Sequence, residues 1–314
     1  MQTNDDLAKL INITDNSSTV TLEDNDKGLC LKVDNQRATL LISLFGGHVL
    51  SYINKKDNKE RLWLSNKAIF DGRSPIRGGI PICWPWFSAH YKTPSYPSHG
   101  FARTQVFTLL SIEEITHCNK VDTTHLTLVP SKLDQFAYNN VQMKLVISVS
   151  DTLRMSIISI NNSEKDIFIT QALHTYFKVD DINQTLLKGV TSDYDDKLNQ
   201  TVGNKAPSHY SFESEVDRIH QYEAAKLSQT QTIEIVSTNN KLTKESLSLT
   251  KIEQSGHDST VVWNPWLDKS KSMKDMEEDG FLSMLCIEAA NTRNAKKPLK
   301  LAPNETHTLT QTIY

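Results

Sequence analysis

Along residues 141 to 149 apolar and polar side chains alternate. Val141, Met143, Leu145, Ile147 and Val149 share one face, and Gln142, Lys144 and Ser148 the other. A period of two is that of a half-buried strand, because successive strand side chains point to opposite faces. The alternation resumes at 153–160, where Leu153, Met155 and Ile157 oppose Arg154 and Ser156 after the turn signal Ser150-Asp151. Two such runs joined by a short polar turn predict an antiparallel hairpin. Segments rich in Thr, Val and Ile predict further strands at 19–23, 29–33, 38–45, 106–111, 124–129, 231–236, 259–263 and 306–313. Helical periodicity is scarce. Residues 5–11 predict a short amphipathic helix capped by Asp5 or Asp6, with Leu7, Leu10 and Ile11 inward, and KSMKDMEEDG at 271–280 reads as a solvated loop. Many short strands without intervening helices define an all-β fold, a large antiparallel β-sandwich. No repeat and no Pro-, Ser- or Gly-rich linker divides the chain, so one domain over 1–314 is expected, with 1–17 as an N-terminal extension.

Composition narrows the class. The 314 residues are 38% hydrophobic and 23% charged, enough apolar material for a sizeable core and no signature of disorder. A formal charge of -3 gives no basic surface for nucleic acid and no basic membrane anchor. No apolar run approaches the roughly 18 residues that span a bilayer. The start, MQTNDDLAKLINIT, lacks the basic and apolar regions of a secretory signal. A soluble cytoplasmic monomer that engages neither nucleic acid nor membrane is the expectation. Cys30, Cys83, Cys118 and Cys286 form no CxxC pair, so reduced and mostly buried thiols are expected, with no metal site.

Three places break the strand pattern and mix polar groups with aromatics. In SPIRGGIPICWPWF (74–87), Gly78 and Gly79 would let the backbone approach a ligand, prolines stiffen the chain, and Arg77 precedes Trp84, Trp86 and Phe87. This is either a rigid corner of the sandwich or a cleft wall in which an arginine fork meets an anionic or hydroxyl-rich ligand. In SHGFART (98–104), His99, Gly100 and Arg103 stand at a strand entrance, where a second arginine could converge with the first on a phosphate. In QALHTYFKV (171–179) and LSMLCIEAAN (282–291), His174 and Glu288 interrupt apolar strands. Histidine in such a place is often a satisfied core residue. Glutamate is almost never fully buried unless paired, and burial raises its pKa toward that of a useful proton acceptor. Whether the two face each other depends on the fold.

These residues resemble a known family, the aldose 1-epimerases of the galactose-mutarotase type, and most of all its D-hexose-6-phosphate mutarotase branch. The resemblance rests on IRGGIP (76–81), CWPWF (83–87), HGFAR (99–103), ALHTYF (172–177), VDRIH (216–220), VVWNPW (261–266) and IEAAN (287–291), in that order, and spans residues 18 to 313. It implies a β-supersandwich with its site in a groove on the concave sheet. It further implies His174 as general acid and Glu288 as general base, with Arg77, His99 and Arg103 lining the substrate site and the arginines holding a sugar phosphate. Asp217 matches an acidic residue that bonds sugar hydroxyls, although Val216 stands where the family often has Thr. The loop after Phe87 also carries Lys92, whose reach toward a phosphate is open.

The residue types suit the implied chemistry. Anomerisation removes a proton from the C1 hydroxyl and delivers one to the ring oxygen, and it needs no metal or redox cofactor. Two other readings remain: an epimerase for free hexoses, which would need no cationic clamp, and a non-catalytic sugar-binding protein, which would not need His174 and Glu288.

Overall fold

The computed structural model describes all residues except 1–3, 134–137, 139, 209, 223–228, 239–246 and 293–297. Two eight-stranded sheets hold most of the strand residues, and every strand pairing between named strands is antiparallel. The first sheet runs, in spatial order, Thr185–Lys188, Gln231–Ser237, Leu247–Ser255, Thr306–Ile313, Leu153–Asn161, Val141–Val149, Lys120–Pro130 and Phe107–His117. The second runs Thr201–Asn204, Tyr194–Asp196, Val216–Gln221, Ser259–Asn264, Met284–Asn291, Gln171–Leu173 and Ile82–Cys83, with Tyr176–Lys178 also paired to Met284–Asn291. A five-stranded sheet from Val20–Asn25 to Lys59–Glu60 and a two-stranded ribbon complete the set. The expected sandwich is present.

The expected hairpin forms in register, Val149 opposite Leu153 and Val141 opposite Asn161. Its alternating apolar residues are buried, and Gln142 and Lys144 are exposed. Ser156 departs from the pattern: it is buried, and Thr310 Oγ1 satisfies its hydroxyl at 2.8 Å. Facing side chains of the two large sheets meet in one apolar cluster that holds Leu145, Ile157 and Leu309 from the first and Leu173, Ile287 and Ala289 from the second. Each fully buried Leu or Ile there stabilises the fold by about 1.5–3 kcal/mol. Polar ties cross the layer too. Gln311 Nε2 donates to Ile287 O at 3.0 Å, next to Glu288, and Trp84 Nε1 donates to Ser159 Oγ at 2.9 Å.

The N-terminal helix, α1 (Asn4–Asp15), is longer than predicted and begins before Asp5 and Asp6. Only Leu10 of the expected inward stripe is buried, whereas Leu7 and Ile11 are 37% and 42% exposed. The contact face instead continues through Ile13 and Thr14, one turn further along. The chain after it is fastened by Glu114, which accepts hydrogen bonds from Ser17, Ser18 and Thr19. The second helix, α2 (Trp266–Ser272), takes only the first two residues of the 271–280 stretch, and Met273–Asp279 is a loop as expected. All four cysteines are free, and all but Cys118 are buried.

Candidate active site

Glu288 lies in Met284–Asn291, whose eight residues are all buried. The neighbouring strand is interrupted at His174 and Thr175, but its register continues across the break: Leu173 pairs with Ala289 and Tyr176 with Cys286. His174 therefore falls opposite Glu288, and its Nε2 lies 3.3 Å from Glu288 Oε1. On the far side Glu288 pairs with Val261, which pairs with Ile219. The period of two then puts Trp263 and Asp217 on the same face. Ile287 and Ala289, on the other face, belong to the core between the sheets.

Two loops bring in the remaining groups. Gly79 has φ +61°, and a Cβ there would stand 2.2 Å from Val49 O; at Gly78, φ +101°, it would stand 2.6 Å from Trp63 O. These glycines serve close approach to the protein's own strands, which corrects the expectation of approach to a ligand. The segment they thread holds the histidine strand, since His174 N donates to Pro81 O at 3.0 Å and Tyr176 N to Gly79 O at 2.9 Å. Arg77 thereby lies beside Tyr176, with Nη1 donating to its hydroxyl at 2.8 Å. In the second loop His99 has φ +63° and Gly100 packs where a Cβ would be 2.0 Å from Trp84 O. Arg103 follows in a short 3₁₀ turn, Ala102–Thr104, and donates to Ser98 O at 2.8 Å.

All six residues singled out in the sequence, Arg77, His99, Arg103, His174, Asp217 and Glu288, line one cavity of about 280 Å³. Phe87, Ser88, Val261, Trp263 and Met273 complete it, together with Lys197, whose N–H donates to Asp217 O at 2.9 Å. Lys197 had no sequence signal beyond its charge. Lys92 does not line the cavity and instead lies over the Tyr91 ring. A larger groove of about 550 Å³ adjoins through Phe87, Ser88 and Lys197 but contains none of the six.

Burial governs the electrostatics. It pushes the Glu288 carboxyl well above its usual range, the Asp217 charge adds to this, and Arg103 opposes it. Burial also drives His174 well below 6.5, helped by His99 and by the charges of Arg103 and Arg77. Both shifts favour a neutral imidazole and a protonated carboxyl. Glu288 Oε2 has no hydrogen-bond partner among the described residues, so its acceptor capacity is unspent. His99 is lowered to about 3 by burial and by Arg103, Arg77 and Lys197, and is neutral. Its Nδ1 accepts from Ser88 N–H at 3.3 Å and faces Cys83 Sγ at 3.3 Å, so the ring proton sits on Nε2. Asp217 is raised by burial against the pull of Lys197 and Lys269. Among the described residues no His, Cys, Asp and Glu groups cluster as a metal site, and no helix is long and apolar enough to cross a membrane.

A β-sandwich with a buried carboxyl–imidazole pair beside two arginines has the makings of an enzyme that moves protons on a small anionic ligand. The aldose 1-epimerase family model matches residues 29–314, and the chain belongs to that family; it is an isomerase. It is 33% identical over 84% of its length to a protein of Cenchrus ciliaris named "Putative glucose-6-phosphate 1-epimerase", covering 77% of that protein. It is 30% identical over 86% of both chains to a protein of the same name from Escherichia coli. A crystal structure of a "putative mutarotase" from Salmonella typhimurium superposes with a TM-score of 0.79 at 25% identity, over 98% of each chain.

Proposed function

We propose that this chain interconverts the α and β anomers of D-glucose 6-phosphate, with His174 and Glu288 as the acid–base pair. The observation that carries the reading is their 3.3 Å contact inside a cavity that also presents Arg77 and Arg103. The Glu288 carboxylate takes the O1 proton, and the C1–O5 bond breaks with its electron pair going to O5. His174 supplies the proton that O5 then gains. Rotation about C1–C2 of the open aldehyde and closure on the other face give the second anomer, with both transfers reversed. The working state needs the shared proton on His174, and hydrogen bonds donated by sugar hydroxyls to Glu288 favour its carboxylate form. Arg77 and Arg103 hold the phosphate, where planar forks suit its oxygens, and His99 offers an Nε2–H donor. Asp217 binds sugar hydroxyls. The cationic clamp favours a phosphorylated sugar over a free hexose, and the acid–base pair favours catalysis over binding alone. We read the protein as a single-domain monomer acting in the cytoplasm.

Anomer exchange followed by NMR on glucose 6-phosphate, glucose and galactose tests the reading. Acceleration is expected for the phosphorylated sugar alone. Glu288→Gln and His174→Ala should each lower turnover by about 10²–10⁴-fold while phosphate binding persists. Near-wild-type turnover in either variant would remove that residue from the chemistry.

A further inference from the structure

We propose that Asp275, on the loop after α2, is a positioning residue that aims Arg77 at the substrate phosphate; this rests on the reading of Arg77 and Arg103 as a phosphate clamp. The two arginines are held in different ways. Arg103 donates to the Ser98 carbonyl, and no described carboxylate lies within ion-pair distance of it. Arg77 donates through Nε to Asp275 Oδ2 at 3.2 Å, and its Nη2 lies 3.1 Å from the same oxygen. Its Nη1 donates to Tyr176 OH at 2.8 Å. Asp275 thus occupies the Nε/Nη2 edge, and Tyr176 takes one hydrogen of Nη1. What remains is an N–H on each terminal nitrogen, the end of the fork that can meet two oxygens of one phosphate.

The loop that carries the carboxylate is tied down on both sides of the arginine contact. Its neighbour Met276 is buried, with Ser270 Oγ 3.8 Å from its sulfur. Glu277 ties the loop to the segment before Arg77, accepting from Ser65 Oγ and Asn66 N–H, both at 2.7 Å. Met273, on the same loop, lines the cavity. A long guanidinium side chain carries considerable rotamer freedom, and fixing it beforehand lowers what the ligand must spend on ordering it. Tyr176 also stacks on His174, ring centroids 5.0 Å apart at 9°, so Asp275, Arg77, Tyr176 and His174 form a continuous row from loop to acid–base pair. Arg103 supplies uncompensated charge, and Arg77, neutralised by Asp275, supplies direction.

Binding of inorganic phosphate by calorimetry, together with KM and kcat for glucose 6-phosphate, tests this in the whole chain. Asp275→Ala should weaken phosphate binding and raise KM by up to about tenfold, the scale of ordering one rotamer-rich side chain on binding, with kcat within about twofold. Asp275→Asn, which keeps the volume and one acceptor, should fall between wild type and Asp275→Ala. Adding Asp275→Ala to Arg77→Ala should change neither quantity further, because the residue acts only through the arginine. Unchanged or tighter phosphate binding in Asp275→Ala, or an additive loss in the double variant, would overturn the proposal. If phosphate binding responds as expected and wild type accelerates no sugar, the proposed reaction fails and the role of Asp275 stands.

Discussion

Glu288 and His174 are each unremarkable as residue types, and in the proposed reaction they gain their chemistry by sharing one buried proton. Two groups in contact titrate as a pair, so activity should follow the singly protonated form. His174 is pushed below 6.5 and Glu288 well above its usual carboxylate range, both by burial first. The acid limb of the kcat/KM profile should therefore lie below 6.5 and the basic limb far above the carboxylate range, leaving a plateau between. Asp217 is the second cause of the raised Glu288 value. Its negative charge disfavours ionisation of a neighbouring carboxyl, so removing that charge lowers the Glu288 pKa. Asp217→Asn should then move the basic limb to lower pH, whatever it does to affinity. A limb that stays in place in a pH–rate series would sever the electrostatic link.

At the scale of the element, strand register performs the assembly that residue types alone could not announce. The alternation at 141–149 and the motifs around Arg77, His99, His174, Asp217 and Glu288 were legible because local spacing encodes strands and because the motifs are dense in unusual residues. The opposition of His174 and Glu288 was not, since a period of two gives each residue a face but no partner. Lys197 and Asp275 were hidden for the same reason: a charge in a turn has no local signature, and its meaning comes from a strand or loop far away in sequence. The α1 stripe was misjudged because the docking surface, not the helix, chose which apolar residues to cover. Gly79 shows how the assembly is enforced. An alanine Cβ would stand 2.2 Å from Val49 O at a positive φ, a conformation costing about 1–3 kcal/mol for a non-glycine residue. The same residue's carbonyl accepts from Tyr176 N–H at 2.9 Å. Gly79→Ala should lower the melting temperature and also turnover, by displacing the strand that carries His174. Full turnover with reduced stability would mean that the segment supports the sandwich without setting the site.

Taken whole, the molecule has a formal charge of -3 yet gathers Arg77, Arg103 and Lys197 at one cavity, so the proposed affinity for an anion would be a local property that needs no basic protein. Burial on this scale also traps histidines without charge. His48, His220 and His257 are each lowered from 6.5 to about 4, chiefly by burial, and they lie in different parts of the fold. His48 Nε2 contacts Gly78 O at 2.7 Å beneath the Arg77 segment, His220 Nδ1 contacts Ser192 O at 2.8 Å, and His257 Nε2 contacts Gln231 Oε1 at 2.9 Å. Between pH 6.5 and about 4 the unfolded chain binds protons at these positions and the folded chain does not, so stability falls as pH falls through that window. Each histidine would contribute up to roughly 3 kcal/mol, fully present above pH 6.5 and lost toward pH 4. The carboxyls held low by hydrogen bonds, such as Glu114 and Glu253, add their losses only below about pH 4.5, the ordinary range of a glutamate. Denaturant titrations at pH 7, 6, 5 and 4.5 should thus show a loss of unfolding free energy from these imidazoles, offset in part by Glu288 and Asp217, whose raised carboxyls bind protons in the folded chain first, and His257→Gln, remote from the cavity, should flatten the loss by about one proton. The same pH slope in His257→Gln and wild type would mean that this imidazole takes up its proton as readily in the folded chain as in the unfolded one.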